Sequence, residues 1–265
     1  MAFWVTYDHL GKLILANLVW AFAVALPGSV ALAAFLAYPQ DPAMLLVGLP
    51  ALYLAAAVAL PITSAGLAHL AKVLIETRDG SLADFGAGIR LYWQRAIALG
   101  TLVWLALACL GTSVWFYSWW LQDRLPWLGL LLSGLAGWCM LFVILTSLIL
   151  IPTLVQRKDG VIGTLKLASL LTASNPLTIM GLGLNVVAMA LVSMVLPPLF
   201  FILFGAGAMV LLSSGYEMLA RKYAAAEAAE GAAPATPRQV KAPTDEIEDE
   251  YLNRGMHDFL FPWKG

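Results

Sequence analysis

Five long uncharged stretches dominate the sequence, and each exceeds the roughly 20 residues that cross a hydrocarbon core about 30 Å thick. These stretches are 13–40, 42–71, 96–122, 125–156 and 167–216. The last is long enough for two crossings, and Pro197 and Pro198 lie in its middle, where each removes a backbone donor and ends or kinks a helix. We therefore predict an all-α membrane protein: a bundle of about six transmembrane helices with an interfacial helix and a C-terminal tail.

Hydrophobic length and proline position also set the predicted boundaries within a bundle over residues 1–223. The predicted spans are about 13–38, 42–61 with an extension to 76, 96–120, 126–152, 176–196 and 198–220. A straight second helix over 42–76 would be about 50 Å long at 1.5 Å per residue, so a break is expected at Pro61.

The composition agrees with a bilayer environment and excludes one class of partner. Hydrophobic residues make up 61% of the chain and charged residues 12%, whereas about a quarter of a soluble protein is charged. The net charge is −1 with 15 Lys and Arg, which provides no basic surface for nucleic acid. The expected partners are the lipid bilayer and other membrane protein subunits.

Positively charged residues predict the orientation, because Lys and Arg in short loops collect on the cytoplasmic side. With the N-terminus inside, only Arg124 falls outside. The other fourteen basic residues lie in cytoplasmic segments: Lys12, Lys72, Arg78, Arg90, Arg95, Arg157, Lys158, Lys166, Arg221, Lys222, Arg238, Lys241, Arg254 and Lys264. This asymmetry predicts that both termini lie in the cytoplasm.

The longest charged interval within the bundle, 78–96, connects the second and third predicted spans. Residues 82–95 have an amphipathic pattern, which predicts a helix lying in the membrane interface. A lipid-anchored elbow and a docking site for a soluble partner are both open interpretations. The candidate docking residues are Asp84, Phe85, Arg90, Trp93 and Arg95.

Beyond residue 223 the composition changes to an Ala- and Pro-rich linker over 224–244, followed by a short amphipathic tail over 245–265. A helix in the tail would have one apolar face, and its acidic beginning would be repelled by anionic lipid. We therefore expect the tail to contact protein, with Met256, Phe259 and Trp263 as candidate docking residues.

Neutral polar residues occur within the predicted spans, although Asp, Glu, Lys and Arg are absent from the uncharged stretches. This absence argues against an ion-coupled pump built on carboxylates. Asn17, Thr63, Ser64 and Asn185 are candidates for lining the path of a neutral polar solute such as a sugar. Hydrogen bonds between helices are the alternative explanation.

Small residues predict one close helix contact. Gly129, Ser133 and Gly137 recur every four residues in the fourth span and form a flat face. An internal contact of the bundle and a homodimer contact are the two interpretations, and the internal contact is favoured because a bundle must bury such faces.

The sequence contains no recognisable catalytic pattern. It lacks H-E-x-x-H, G-x-S-x-G and phosphate-loop motifs. Cys109 and Cys139 have neither paired nor metal-ligand spacing and are expected to be small buried hydrophobes. We therefore predict no catalytic residues, no metal site and no cofactor.

Several segments together resemble the YesL-like family of bacterial membrane proteins, defined by a domain of unknown function (family 624). The matching segments are GKLILANLVW near the start, LPITSAGLAHLAKVL at 60–74, DGSLADFGAGIRLYWQRA at 79–96 and IPTLVQRKDGVIGTLKLASLLTASNPLTIM at 151–180. The chain departs from the family pattern over 28–59, which looks like an insertion that provides a full second crossing.

The resemblance implies an accessory role, because such proteins are often encoded beside carbohydrate importers and sugar-degrading enzymes. It assigns no functional residue. The leading hypothesis is a non-enzymatic membrane accessory or assembly subunit that is linked to carbohydrate uptake. The alternatives are a facilitator or transporter of a neutral polar solute and, third, a subunit of a pigment–protein complex.

Overall fold

The computed structural model describes residues 9–37, 42–77, 79–121, 123–157 and 160–231. All regular structure within these ranges is helical, which confirms the predicted all-α class. The helices are α1 (Leu10–Ala37), α2 (Pro42–Tyr53, Leu54–Ala59 and Leu60–Thr77), α3 (Leu82–Phe116 and Tyr117–Leu121), α4 (Pro126–Arg157), α5 (Val161–Ser174), α6 (Pro176–Val195) and α7 (Pro197–Leu199, Phe200–Phe204 and Gly205–Gly231).

Six of these helices are long and apolar enough to cross a membrane, namely α1, α2, α3, α4, α6 and α7. The prediction of about six spanning helices is therefore confirmed. Helix α5, with 14 residues, is shorter than a span and was not predicted. It joins α4 to α6, and its buried residues Ala168 and Leu171 belong to the same core cluster as Ile149 and Leu154 of α4.

The second span differs from its prediction, since α2 does not break at Pro61. It continues from Pro42 to Thr77, with a π-helical turn over Leu54–Ala59. At the end of that turn the Leu60 N–H donates to the carbonyl of Ala55, five residues back. A wider turn directly before a proline accommodates the ring and the missing N–H without ending the helix.

The separate interfacial helix predicted over 82–95 is also corrected. These residues form the first turns of α3, which begins at Leu82 and runs into the third span without interruption. Two large residues of this segment are buried, since Phe85 and Tyr92 are only 4% and 2% exposed. Phe85 packs with residues of α1, α2 and α7, so burial of apolar area holds this segment against the bundle.

The last helix extends beyond residue 223. Helix α7 continues to Gly231, so the first residues of the predicted linker are helical. Their sequence, AAAEAAEG, is rich in Ala and Glu, which have high helix propensity. The remaining linker and the whole predicted tail, including Met256, Phe259 and Trp263, lie outside the described residues.

The cysteines are a further departure from expectation. Cys109 and Cys139 are both exposed on the outside of the bundle, although they were expected to be buried. A small apolar side chain tolerates lipid as well as a protein core, so position in an uncharged stretch does not predict burial in a membrane protein.

The core is organised around the second half of α2. Eleven of the 18 residues of Leu60–Thr77 are buried. One hydrophobic cluster joins this segment to α3, α4, α5, α6 and α7 through residues such as Ala65 and Ala68. A second cluster joins it to α1, α3 and α7 through residues such as Leu67 and Leu70. Both clusters therefore contain residues of α2, α3 and α7, and α2 contributes most of its second half to them.

Helices α2 and α3 approach each other closely at three glycines. A Cβ atom added to Gly88 would lie 2.6 Å from His69 Cβ and 3.1 Å from Gly66 Cα. A Cβ atom added to Gly100 would lie 2.4 Å from Pro61 Cγ and 2.5 Å from the Ala57 carbonyl oxygen. Small residues permit this approach of two backbones, which gives dispersion contacts that lipid cannot replace.

We predict that Gly100→Ala destabilises the protein by about 1–3 kcal/mol, because the added methyl group forces α2 and α3 apart. Gly111→Ala in the same helix is the matched control, since nothing lies within 4 Å of its added Cβ atom. Thermal unfolding in detergent measures both variants. Equal unfolding temperatures for the two variants would contradict the close contact.

Candidate functional site

A cavity of about 410 Å³ lies at the centre of the bundle. Each of the six spanning helices contributes to its wall, and it is partly open to the surface. The lining residues are Trp20, Ala56, Leu60, Pro61, Ser64, Gly100, Val103, Trp104, Leu107, Ser147, Leu148, Leu150, Ile151, Val186, Phe204, Gly205, Ala208, Met209 and Leu212. Several of these residues, such as Ala56 and Val186, are near the middle of their helices, so the cavity lies at hydrocarbon depth.

One wall is built where α2 meets α3. The π-helical turn of α2 places Ala56 on the cavity, and Pro61 and Gly100 line it at the point of closest approach. Beside this wall, Tyr53 and Thr101 share a hydrogen bond of 3.0 Å between their hydroxyl oxygens. The Tyr53 ring meets Trp104 edge-on, with ring centroids 5.4 Å apart. These contacts fix the Trp104 side of the cavity.

A second part of the wall, where α1 meets α7, depends on Asn17 in α1, whose side chain is fully buried. Its Nδ2 donates to the carbonyls of Phe200 at 2.9 Å and Phe201 at 2.7 Å. Its Oδ1 accepts from the Ala206 N–H at 2.8 Å. A single amide therefore satisfies three backbone groups around the π-helical turn Phe200–Phe204, in a region where an unsatisfied group is costly.

Trp20, one turn after Asn17, completes this wall. Its Nε1–H donates to Ser64 Oγ at 3.1 Å, and its ring lies against Phe200 and Phe204 at centroid distances of 5.5 and 5.9 Å. A Cβ atom added to Gly205 would be 2.6 Å from the indole ring. Only glycine therefore lets α7 pass this close to Trp20.

The chemistry of the lining is almost wholly apolar. The described lining residues include no Asp, Glu, Lys, Arg, His or Cys, and their only hydroxyls belong to Ser64 and Ser147. Ser64 Oγ accepts from Trp20, and Ser147 Oγ donates to the Ile144 carbonyl at 2.7 Å. Such a wall fits an apolar molecule.

The free-energy cost of an empty apolar space favours an occupied cavity. Wall atoms that face an empty space lose their dispersion contacts, and a cavity of about 410 Å³ has many such atoms. Water needs two to four polar partners at each buried position, and these walls supply few. Apolar material is therefore the favourable occupant.

The structure places the four predicted solute-lining residues in different environments. Asn17 binds backbone across helices, while Thr63 Oγ1 donates to the Ala59 carbonyl of its own helix at 2.7 Å. Ser64 lines the cavity but is bonded to Trp20. Asn185 lies on the exposed outer side of α6. Asn17 and Ser64 thus border the same wall, whereas Asn185 is not brought near them.

The predicted docking residues near the start of α3 also lie in different environments. Asp84 Oδ2 accepts from the Ser81 N–H at 2.7 Å and from Ser81 Oγ at 2.9 Å, an N-terminal helix cap. Phe85 is buried in the core and therefore cannot contact a docked partner. Arg90, Trp93 and Arg95 are exposed on the outside of α3. They remain candidates for contact with a partner or with lipid headgroups.

The predicted packing face in α4 is not where the closest contacts occur. Gly129 is buried and Ser133 is half-buried, but nothing lies within 4 Å of a Cβ atom added to Gly137. Close approach occurs instead at Gly88 and Gly100 in α3. Their spacing, a multiple of four residues, was the available sequence signal.

Sequence reasoning also missed a polar cluster between α5 and α7. The buried Asn175 donates from Nδ2 to the Tyr223 hydroxyl at 2.6 Å, and Lys222 Nζ donates to Asn175 Oδ1 at 3.1 Å. The Tyr223 hydroxyl donates to Ser174 Oγ at 2.9 Å. An Asn–Pro pair directly after a helix was the available signal, because such a pair ends helices.

Comparisons with protein-family models, with curated proteins and with solved structures each found no match to this chain.

We predict that Asn17→Leu destabilises the isolated protein by about 2–4 kcal/mol, because two carbonyls and one N–H lose their partner in an apolar interior. Asn185→Leu is the matched control, because the Asn185 side chain is exposed and, among the described residues, donates to the Gly181 carbonyl of its own helix. Denaturant unfolding in detergent measures the difference. If both variants unfolded at the same denaturant concentration as the native protein, Asn17 would not stabilise the π-helical turn.

Proposed function

We propose that this chain is a non-catalytic subunit of a membrane protein assembly and binds its partner through the outer face of α6. The observation that carries the proposal is the position of Asn185. It lies on the exposed side of α6, at the tenth of 20 helix positions and therefore about 15 Å from either end at 1.5 Å per residue.

Helix α6 is weakly tied to the rest of the bundle. Ile179 and Ser193 are its only buried residues. Its outer side chains include Leu177 at 81%, Leu184 at 71% and Met194 at 77% exposure. A face this open contacts either lipid or another protein.

Asn185 favours protein over lipid as the neighbour of this face. The only hydrogen bond that the described residues give it runs from Nδ2 to the Gly181 carbonyl at 2.8 Å. Its Oδ1 and second N–H therefore face the hydrocarbon, where an unpaired amide is costly and where polar side chains bind helices to one another. Gly181 and Ala188 are also exposed on α6 and, being small, permit a partner helix to come close.

The environments of the other neutral polar residues support a structural role for them. Asn17, Thr63 and Ser64 make hydrogen bonds within the bundle, and the central cavity has apolar walls. These contacts favour a subunit that assembles with a partner over a path for a neutral polar solute.

The proposed setting follows from charge and resemblance. Fourteen of the 15 Lys and Arg fall on one side when the N-terminus is inside, so we propose a bacterial plasma membrane protein with both termini in the cytoplasm. The resemblance to the YesL-like family suggests that the partner is a component of carbohydrate uptake.

Site-specific photo-crosslinking in native membranes tests the proposal. A photoreactive amino acid at position 184, beside Asn185, should give a covalent adduct with one membrane protein other than this chain. Asn185→Leu should reduce that adduct at least tenfold, because the partner loses its polar contact in the bilayer. A photoreactive residue at position 131 is the control, since Leu131 is 65% exposed on α4, outside the proposed interface.

Three results would contradict the proposed function. Lipid adducts alone at position 184 would mean that α6 faces the bilayer. An adduct that is unchanged by Asn185→Leu would remove the amide from the interface. A crosslinked dimer of this chain would replace the partner subunit with a second copy.

A further inference from the structure

We propose that the central cavity binds the acyl chain of a bilayer phospholipid as a structural ligand. This inference concerns the interior of the bundle and does not depend on the proposed partner at α6. It is carried by the depth of the cavity, the chemistry of its walls and its partial opening to the surface.

The depth of the cavity selects a chain rather than a headgroup. The lining extends over Gly100 to Leu107 in α3 and includes Val186 of α6, positions that lie near the middle of those helices. A phospholipid headgroup cannot leave the interface without losing its water. An acyl chain reaches this depth while its headgroup stays at the membrane surface.

The chemistry of the walls selects an apolar ligand. Every spanning helix contributes apolar groups, and the two hydroxyls of the lining already have hydrogen-bond partners. Trp20 directs its N–H to Ser64, so the indole presents its ring to the cavity while its polar atom is satisfied. A sugar or an amino acid would lose its water here without replacement hydrogen bonds.

Contacts between the helices around the cavity hold its walls in place. Hydrogen bonds from Asn17 hold the π-helical turn of α7 that carries Phe204. In the wall between α2 and α3, the contact of Gly100 with Pro61 holds the two helices together. These two fixed walls keep the helices from closing over the space, which leaves it for a lipid chain to fill.

The opening of the cavity gives an acyl chain a route from the bilayer. It is partly open, and Leu60 on its lining is 37% exposed. At hydrocarbon depth the outer surface of the bundle is in contact with acyl chains. A bilayer lipid can therefore insert a chain sideways without passing through water.

Photolabelling with a phospholipid that carries a diazirine at the end of one acyl chain tests the proposal. The full-length chain is reconstituted in vesicles of phosphatidylethanolamine and phosphatidylglycerol containing this probe. After irradiation, peptide mass spectrometry should find adducts on cavity residues such as Trp104 and Met209, in addition to those on the exposed belt.

Two variants distinguish occupancy of the cavity from contact with the surface. Ala56→Phe fills the cavity from α2 and should lower the internal adducts at least fivefold. Ala108→Phe adds the same bulk on the exposed side of α3 and should leave them unchanged. Ser147→Leu, a smaller change on the α4 wall, should also lower the internal adducts if Ala56→Phe folds poorly.

Each contrary result has a definite meaning. Wild-type adducts confined to the exposed belt would overturn the proposal, since a collapsed or closed cavity gives that pattern. Internal adducts of equal yield in Ala56→Phe and Ala108→Phe would also overturn it. Internal labelling by a diazirine fatty acid but not by the phospholipid probe would overturn the assignment to a bilayer lipid.

Discussion

The contact between the backbones of α2 and α3 is the constraint on which the rest of the structure depends. Gly66 and Gly88 face each other, and Gly100 meets Pro61 and the Ala57 carbonyl. A larger residue at Gly88 or Gly100 would meet backbone atoms of α2, so the helices would have to move apart. Because α2 also enters both hydrophobic clusters, its position relative to α3 determines where α1, α4 and α7 can pack.

The central cavity follows from this arrangement together with the π-helical turns. Such turns widen a helix locally and are frequent at functional sites, and two of the three in the described part of the chain border the cavity, at Leu54–Ala59 and Phe200–Phe204. Each of these turns lies near proline: Pro61 follows the first turn, and Pro197 and Pro198 precede the second. Pro61, where a break in α2 was expected, lines the cavity instead, and Asn17 satisfies the backbone around the second turn.

Sequence reasoning predicted the architecture better than it predicted which faces are buried. The long uncharged stretches were sufficient for the six spanning helices, because length and hydropathy decide whether a segment can cross a bilayer. The environments of Asn17 and Asn185 were not predictable: both lie in such stretches, yet one is buried and the other exposed. In a membrane the lipid is as apolar as the core, so the hydrophobic pattern does not mark the inner face. The burial of Phe85 and the open space beside Gly137 escaped prediction for the same reason.

Native-state hydrogen exchange of the detergent-purified protein, followed by mass spectrometry, tests the central role of the α2–α3 contact most directly. If that contact organises the fold, peptides from Leu60–Thr77 and from the facing part of α3 should exchange last and at one common rate, because their amides open only in global unfolding. Peptides from α6, which buries only Ile179 and Ser193, should exchange earlier. Exchange of the α2 and α3 peptides before those of α6, or at unrelated rates, would contradict the account.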